Sequence, residues 1–357
     1  MKKVVKLDVN KLNDYIESKH PEIECSETEA VASILCSSDD PPSSAVNVAP
    51  DGEDALPVCA KNHNLIFYTI AERIKVIGKL ESLFFMFYYL KDISGLSKWD
   101  VSNITDMSSL FGSCSSLNDL TPMSNWNVSK VKNMESMFEE CTNLTDLNAL
   151  SNWDVSRVTT MNAMFSHCDA LTDIKGLRNW NTIHLKKAHE MFSSCPALTS
   201  LCGLENFDLS NAKDLSYMFF DSGVTSLGPL CSWQLSDKTD IYAMFMYCEK
   251  LSDINGLRNW DISKVQNMNS LFSDCKTLQD ISPLENWDIS HLSCLNSVFD
   301  NCVNLQDVSP LKNWDVFSIE DFGFLFMGCT NISNMSVLKE NWKFQDKYLS
   351  EYIFDIL

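Results

Sequence analysis

Eight cysteines recur at a nearly constant step of 27 residues, and cysteine can hold zinc, form disulfides or act as a nucleophile. They are Cys114, Cys141, Cys168, Cys195, Cys248, Cys275, Cys302 and Cys329. No pair has the C-x₂-C or C-x₄-C spacing of a zinc site. Disulfides between neighbouring repeats are compatible with the expected distances. The regular recurrence favours buried, reduced thiols that pack as small hydrophobic side chains, and the lack of a visible export signal agrees with reduced thiols.

Seven aspartates recur with the same step: Asp92, Asp119, Asp146, Asp173, Asp253, Asp280 and Asp307. Members in adjacent repeats are expected about 5 Å apart, which is the carboxylate separation of a retaining glycosidase. A catalytic pair is unique within a chain, whereas this arrangement recurs, so it indicates structure rather than hydrolysis. Stacked carboxylates repel by about 1 kcal/mol per neighbour. Hydrogen bonds to loop amides or a bound calcium ion would compensate, although no D-x-D-x-D-G loop is present.

Other catalytic motifs are missing from the sequence. There is no P-loop, G-x-G-x-x-G, H-E-x-x-H or G-x-S-x-G. The six histidines do not cluster, and the spacing of His63 four residues after Cys59 is an isolated occurrence. We therefore predict that the protein is not an enzyme and needs no cofactor.

The element that positions these side chains is a 27-residue repeat, clearest from Asn125 to Leu150. A tryptophan recurs with this step, for example at Trp126, Trp153 and Trp180, and a phenylalanine recurs at Phe84, Phe111 and onward to Phe326. A period of this length indicates a solenoid whose coils bury their apolar faces against each other. The asparagine before the tryptophan, as in Asn152 and Asn179, is predicted to bond backbone groups of neighbouring coils.

The spacing within one repeat predicts two elements per coil. Val131, Met134 and Phe138 follow helical spacing with Ser129 as N-cap, which predicts a short helix or 3₁₀ turn. Cys141, Leu144, Leu147 and Leu150 recur every third residue and predict a short parallel strand near Leu144–Asn148. The predicted fold is therefore an α/β solenoid of about ten coils.

The repeat strings NWNVSKVKNMESMFEECTNLTDL and NWDISKVQNMNSLFSDCKTLQDI resemble the BspA-type leucine-rich-repeat surface proteins, first catalogued as a mycoplasma domain of unknown function. The resemblance covers roughly residues 72–342. It implies a right-handed leucine-rich-repeat solenoid, usually exported to a bacterial surface and associated with adhesion or host contact. It supplies no catalytic residues.

The segments outside the repeats are predicted from composition. Residues 1–20 are expected to form a short helical segment and lack the apolar core of a signal peptide. Residues 21–60 are acidic and rich in proline and serine, which predicts a disordered linker. Residues 61–98 are expected to form an N-terminal cap with a degenerate first coil, residues 99–341 the solenoid, and residues 342–357 a C-terminal capping helix. No stretch is apolar enough to cross a bilayer.

The formal net charge of -20 excludes whole classes of partner. Phosphate backbones and anionic lipids favour clustered Lys and Arg, so direct nucleic-acid binding is not expected. An acidic rod could instead mimic nucleic acid and bind a basic protein.

Departures from the repeat are the best signal of function, because consensus residues only maintain the coil. Coils five and six carry Phe207 for Trp, Gln234 for Asp, Ser222 for Cys and a one-residue deletion around Gly223. Aromatic and methionine side chains also replace small or polar ones; these are Tyr217, Phe220, Met246, Tyr247, Phe324 and Met327. Such residues mark an interaction site, with local repacking around the deletion as the alternative.

Together these patterns predict a non-catalytic, monomeric protein-interaction scaffold, an adhesin or host-directed effector whose partner is a protein, for example a host protein. The lack of a visible signal peptide predicts a cytoplasmic protein or one exported without a classical signal. A nucleic-acid mimic and a calcium-dependent or carbohydrate-binding surface are the two alternatives.

Overall fold

Seven short strands and one helix surround the N-terminal end of the solenoid. The computed structural model describes residues 4–19 and 31–345. The elements are β1 (Val4–Asp8), α1 (Val9–Lys19), β2 (Ser33–Ser37), β3 (Val46–Asn47), β4 (Pro57–Lys61), β5 (Asn64–Tyr68), β6 (Arg73–Ile77) and β7 (Trp99–Asp100). One sheet has the order β1-β6-β7 with parallel pairing, and the other has the order β2-β5-β4-β3. In the second sheet β2 runs parallel to β5, whereas the other pairs are antiparallel.

The expected linker at residues 21–60 is the clearest error of prediction. Residues 31–60 contribute β2, β3 and most of β4, and residues 21–30 lie outside the described part of the chain. The side chains of Ile34, Val48, Leu56 and Val58 are fully buried. These buried residues are separated by acidic and proline-containing turns. The average composition of the segment is therefore polar, which is typical of a disordered linker.

The other two N-terminal segments also contain strands that composition did not reveal. Strand β1 precedes the expected helix, which spans Val9–Lys19. Strands β4 and β5 form a hairpin in which Lys61 pairs with Asn64. The two turn residues Asn62 and His63 have φ values of 52° and 64°, as a type I′ turn requires. His63 is therefore a turn residue.

The N-terminal sheets continue into the first coils. Ile74 of β6 pairs with Trp99, and Ser33 forms a parallel bridge with Asp92. The ring of Phe67 packs edge-on against Trp99 at 5.8 Å between centroids. This packing covers the apolar cross-section that the first coil would otherwise expose.

Asx turns form the corners of the most regular coil, which begins at Trp126. In the coil that begins at Trp126, the side-chain oxygens of Asn127, Asn133 and Asp146 each accept the amide of the residue two positions later, at 3.0 to 3.1 Å. Asn and Asp favour this bond because their short side chains reach their own backbone. The aspartate column predicted from sequence is therefore one of three corners of the coil.

The predicted helix of a coil is wrong, and the strand predicted near Leu144–Asn148 is reduced to a single bridge. The 3₁₀ helices begin where that stretch ends; they are Ser94–Lys98, Thr121–Met123, Asn148–Leu150, Lys175–Leu177, Gly228–Leu230, Asn255–Leu257, Ser282–Leu284 and Ser309–Asn313. Only isolated bridges such as that of Asp146 with Asp173 remain of the strand in the described coils. Ser129 is not an N-cap, because its amide and hydroxyl both donate to Asn127.

Consecutive turns replace the predicted helix. The amide of Met137 donates to the carbonyl of Met134 and that of Cys141 to Phe138, which are i→i−3 bonds. The amides of Met134, Ser136 and Phe138 instead donate to the next coil. Apolar residues thus recur every three to four positions without a helix, which explains why the spacing was misleading.

Phenylalanine rings form a continuous stack through the interior. Successive rings from Phe84 to Phe326 lie 5.5 to 5.9 Å apart between centroids and are nearly parallel in most pairs. All are buried. Burial of one such ring stabilises by up to about 3 kcal/mol, so the stack contributes strongly to the association of the coils.

The tryptophan column adds a hydrogen bond between coils that the sequence analysis missed. The indole Nε1 of Trp153 donates to the carbonyl of Met123, thirty residues earlier, at 3.1 Å. Equivalent bonds of 2.8 to 3.2 Å are made by Trp126, Trp180, Trp233, Trp260, Trp287, Trp314 and Trp342. Asn152 and Asn179, expected to link coils, are exposed, and within the described chain Asn206 alone of this column donates to the preceding coil.

Helix α2 (Ser336–Asn341) ends the described solenoid. The rings of Trp342 and Phe344 pack against Phe322, at 6.1 and 5.6 Å between centroids. The cap predicted for residues 342–357 lies outside the described residues beyond position 345.

Candidate protein-binding surface

The segments equivalent to Met134–Cys141 in each coil form one side of the solenoid, which we call the turn face. Two residues per segment have left-handed backbone conformations; in this coil they are Ser136, with φ 53°, and Glu140, with φ 58°. Met137 and Phe138 point into the core and are buried, whereas Ser136, Glu139 and Glu140 are at least partly exposed. Each coil therefore offers the same few positions to solvent on this face.

Four aromatic side chains meet on the turn face of coils five and six. The ring of Tyr217 contacts Tyr242 at 5.0 Å and Phe220 at 5.5 Å between centroids, edge to face in both cases. Phe220 contacts Tyr247 at 5.4 Å. We call Tyr217, Phe220, Tyr242 and Tyr247 the aromatic patch.

The structure brings together only some of the residues singled out from sequence. Tyr217, Phe220 and Tyr247 belong to the patch, and Met246 is half-buried at the position equivalent to Phe220 in the next coil. Phe324 and Met327 are 54% and 52% exposed at the positions equivalent to Tyr217 and Phe220, but several coils farther along. They lie on the same face and outside the patch.

Tyr242 was missed by the sequence analysis. Its position is occupied by Asn162, His189 and Ser216 in the preceding coils, so the same departure from the repeat was visible in the sequence. The ring of His189 also packs edge-on against Tyr217 at 5.6 Å. Burial and the neighbouring Tyr242 hydroxyl raise the pKa of Tyr217 to about 12, so its hydroxyl stays protonated at neutral pH.

Carboxylates surround the aromatic patch. They are Glu190, Asp214, Asp221, Asp240 and Glu249. Burial and the nearby Glu249 raise the pKa of the Asp221 carboxyl, and burial also raises that of Asp240. Glu249 is paired with Lys276 at 2.5 Å, whereas within the described chain no Lys, Arg or His nitrogen lies within 4.0 Å of Asp221 or Asp240.

The family model for the mycoplasma protein of unknown function DUF285 matches residues 79–200, 169–256 and 250–356. The chain belongs to the DUF285 family. This agrees with the BspA-type resemblance of the repeat strings and accounts for the whole solenoid. No curated protein matches the chain by sequence.

Two solved structures of leucine-rich proteins resemble this DUF285 chain. A leucine rich cell surface protein from Faecalibacterium prausnitzii A2-165 is 14% identical, with 88% of this chain and 98% of that one covered and a TM-score of 0.35. A leucine-rich repeat protein from Bacteroides ovatus ATCC 8483 is 13% identical, with 90% and 96% covered and a TM-score of 0.32. The family match therefore identifies the chain, and these likenesses add no argument about function.

The cysteine column of this DUF285 protein is built into the core. Each thiol of the column donates to the carbonyl of a phenylalanine in the preceding coil at 2.9 to 3.3 Å, as Cys141 does to Phe111. All thirteen described cysteines are free thiols. Burial raises the pKa of every thiol in the column, for example that of Cys195 to about 12. Raised pKa values make these thiols poor nucleophiles.

The aspartate column of the DUF285 repeat is occupied by turn hydrogen bonds. Asp173 accepts the amide of Lys175 at 2.9 Å and Asp307 that of Ser309 at 2.7 Å. Hydrogen bonds from the side chain and amide of Ser309, and from the Asn334 side chain, lower the pKa of the Asp307 carboxyl, and bonds of this kind supply the compensation for stacking. Among the described residues no three His, Cys, Asp or Glu side chains are placed to hold a metal ion. None of the described helices is long and apolar enough to cross a membrane.

Proposed function

We propose that this DUF285 protein is a non-catalytic scaffold that binds a protein partner on its turn face, with the aromatic patch as the main contact. The observation that carries the proposal is the continuous edge-to-face contact of four aromatic side chains at positions that are small or polar in most other coils. Tyrosine and phenylalanine are enriched at the centre of protein interfaces, because they bury much area with little loss of side-chain entropy.

The backbone at the patch supports the proposal independently. Tyr217 and Tyr247 have φ values of 57° and 62°, and Phe324, farther along the turn face, has 56°. A left-handed conformation costs a residue with a Cβ about 1 kcal/mol, and bulky residues adopt it rarely. Most other coils place Ser, Ala, Glu, Asp or Asn at these positions. Bulky residues in strained positions on the surface indicate a role in binding rather than in stability.

Mutation of the patch tests the proposal. We expect the triple variant Tyr217→Ser, Phe220→Ser and Tyr247→Ser to lose at least tenfold in the recovery of proteins captured from a lysate of the native cell or its host. Loss of two or three aromatic contacts at an interface centre typically costs more than about 1.4 kcal/mol, which corresponds to tenfold in affinity. Quantitative mass spectrometry of the captured proteins measures the change.

A matched control variant distinguishes a contribution of the aromatic patch from a general effect of exposed apolar side chains. Ile70 and Phe317 are 71% and 52% exposed and lie away from the turn face, so their double replacement by serine removes comparable apolar area. We expect this variant to capture the same proteins as the wild type. Equal recovery by the wild type, the patch variant and the control would show that the patch does not bind, provided that thermal unfolding confirms that all three fold.

The narrower parts of the proposal concern architecture and setting. We propose about ten right-handed coils in a monomer, as the repeat predicts. An adhesin or host-directed effector must reach the outside of its cell, and fractionation of the native cell tests this. A structure of the purified chain with its captured partner tests the architecture.

A further inference from the structure

We propose that a linear anionic polysaccharide binds along one side of the solenoid, parallel to its axis. In the coil that begins at Trp126, this side lies between the Asx turns at Asn127 and Asn133. Over this coil and the next three it carries six exposed lysine and arginine side chains. We call them the basic stripe: Lys130, Lys132, Arg157, Lys186, Lys187 and Lys213. The inference goes beyond the proposed function, because the basic stripe shares no residue with the aromatic patch.

The basic stripe is a local exception to the net charge of -20. It lies in four equivalent segments, which are residues 128–133, 155–160, 182–187 and 209–214. These segments contain six Lys or Arg and one carboxylate, that of Asp214. The Oδ1 atom of Asp214 already accepts hydrogen bonds from the amide and the hydroxyl of Ser216. Because the molecule as a whole repels polyanions, binding of one depends on this stripe.

Backbone hydrogen bonds between coils hold the cations of the basic stripe in a row. The amide of Thr159 donates to the carbonyl of Lys132 at 2.8 Å, and that of Lys186 donates to Thr159 at 2.9 Å. The amide of Lys213 donates to Lys186 at 2.8 Å. Parallel pairing of this kind places equivalent residues about 4.8 Å apart from one coil to the next. A pyranose unit advances a polysaccharide by a similar distance, so acidic groups on successive sugars meet successive coils.

The cations of the basic stripe are accessible and are not paired with carboxylates. Within residues 4–19 and 31–345, no carboxylate oxygen lies within 4.0 Å of any of their side-chain nitrogens. Lys130 donates to the side-chain oxygen of Asn103, and Lys213 donates to the backbone carbonyl of Asp237. The Asp237 carboxylate is paired with Lys264 at 2.9 Å, beyond the end of the stripe. The six cations are therefore available to a ligand.

Carboxylates on both flanks limit the width of the basic stripe. They are Asp154 and Asp208 at the corner before it, and Glu135 and Glu190 at the start of the turn face. Hydrogen bonds from Ser156, and to a smaller extent the charge of Arg157, lower the pKa of the Asp154 carboxyl, which therefore stays ionised at neutral pH. A membrane surface or a nucleic-acid duplex is wider than the stripe and would meet these carboxylates, whereas a single linear chain fits between them.

Neutral side chains among the cations favour a polysaccharide over a nucleic acid. The hydroxyl of Thr159 donates to the carbonyl of Lys132 at 3.1 Å. The side-chain amide of Asn211 donates to the carbonyl of Ile183 at 2.8 Å. The oxygens of both side chains can accept hydrogen bonds from sugar hydroxyls, which a DNA backbone lacks. Single-stranded nucleic acids are also bound by stacking on aromatic rings, and the four segments contain no Phe, Tyr or Trp.

Fluorescence anisotropy with labelled oligosaccharides tests the inference on the full chain. The probe is a heparin hexasaccharide, and its control is the neutral maltohexaose. We expect the heparin probe to bind and to lose about tenfold or more in affinity between about 50 and 200 mM salt, because its charges replace released counterions. Failure of the heparin probe to bind at the lower salt concentration, or equal binding of maltohexaose, would overturn the inference.

Two further probes identify the source of the negative charge. Binding of a hyaluronan hexasaccharide, which carries carboxylates without sulphate, would support the inference and extend it to uronate polysaccharides. An oligothymidine with the same number of charges as the heparin probe represents nucleic acid. We expect it to bind more weakly, because the basic stripe offers no stacking surface. Tighter binding of the oligothymidine would overturn the choice of a polysaccharide.

A triple variant localises the site to the basic stripe. We expect Lys132→Gln, Lys186→Gln and Lys213→Gln together to weaken binding of the heparin probe about tenfold or more, because three charge-assisted contacts are lost. Unchanged binding would overturn the inference. All three side chains are exposed, so we expect thermal unfolding of the variant to match the wild type.

Three other lysines provide the matched control for lost charge. Lys91, Lys250 and Lys312 are also exposed and lie outside the basic stripe. Their joint replacement by glutamine is expected to change the affinity for the heparin probe by less than about twofold. Equal weakening by the two triple variants would show that only the overall charge matters, and would overturn the inference.

Discussion

The coils from Trp99 to Trp180 and those from Phe207 to Trp233 are built from the same unit but differ in how neighbours are linked. The first group keeps the indole bond and the thiol bond at nearly every step. In the second group Phe207 has no indole donor, and Ser222 replaces a cysteine and contacts the thiol of Cys248 at 3.4 Å. We call these the regular coils and the irregular coils.

The aromatic interior is the same in both groups. Phe219 and Phe245 stack across the one-residue deletion at 5.7 Å and 0° between ring planes, as closely as Phe138 and Phe165 do in the regular coils. The stack of rings therefore holds the coils in register when individual hydrogen bonds are lost. Side chains on the turn face are then free to change, and the aromatic patch lies in the irregular coils.

The largest effect we predict is alkaline unfolding through the cysteine column. The ordinary thiol pKa is 9.0, and burial raises it to about 12 at Cys195 in the regular coils and about 11 at Cys248 beside Ser222. The unfolded chain therefore ionises first, so the stability contributed by these thiols is present below pH 9 and is lost as pH rises toward the folded pKa. Each thiol removes about 1.4 kcal/mol of unfolding free energy per pH unit above 9.

Urea unfolding at pH 8, 9 and 10 measures this loss. We expect the free energy of unfolding to fall by about 10 kcal/mol between pH 8 and pH 10, because each of the eight thiols contributes about 1.4 kcal/mol over the pH unit above 9. Ser222→Cys fills the gap in the column and should steepen the fall by about one thiol. A urea midpoint that stays constant over this range would contradict the buried, protonated column.

A smaller effect is predicted for the deletion itself. A Cβ at Gly223 would lie 2.2 Å from the carbonyl oxygen of Pro196, which is backbone of the preceding coil and cannot rotate away. We expect Gly223→Ala to lower the free energy of unfolding by about 3 kcal/mol, as overpacking against backbone does. Thermal and urea unfolding measure it.

Gly228, only five residues away, is the control for Gly223. A Cβ there would meet the Ser226 hydroxyl at 3.4 Å, which is ordinary contact. Gly228→Ala is expected to change stability by less than about 0.5 kcal/mol. Similar losses of unfolding free energy at both glycines would show that the close approach of the coils at Gly223 does not account for the effect of the substitution.

The smallest predicted effect comes from removing the indole hydrogen bond in a regular coil and adding one in an irregular coil. Trp153→Phe removes the donor to Met123 and part of the ring volume, so we expect a loss of about 2 kcal/mol. Phe207→Trp places an indole where the Leu177 carbonyl can accept, and a gain of up to about 1 kcal/mol is expected. Urea unfolding of both variants measures the two changes in the free energy of unfolding. An unchanged stability for Trp153→Phe would show that the indole bond does not stabilise the solenoid.

The sequence was sufficient to predict the solenoid because its period is visible in residues that must be buried. Trp126, Phe138 and Cys141 each recur at equivalent depth, and no other arrangement buries all of them. The internal path of a coil was not predictable in this way. Its turns contain residues with left-handed backbone conformations, such as Ser136 and Glu140. These conformations cannot be inferred from the spacing of hydrophobic residues.

The candidate site was predictable to the extent that it departs from the repeat. Tyr217, Phe220 and Tyr247 stood out because equivalent positions are small or polar in most coils. Their contact across two coils, and the inclusion of Tyr242, depend on which side of the turn each residue occupies, and hydrophobic spacing does not reveal this. The N-terminal sheets were missed because their strands are only two to five residues long and are separated by acidic turns.

The one-residue deletion at Gly223 is accommodated within a single coil, as a local defect that does not spread along the solenoid. The chain shortens by one residue between the thiol column and the aspartate corner, yet Phe219 still stacks on Phe245 on one side and Phe207 on Trp233 on the other. This corner can therefore change in length without disturbing the lattice of rings. A foreign loop grafted at this corner must leave Gly223 in place, because the coils approach closely there.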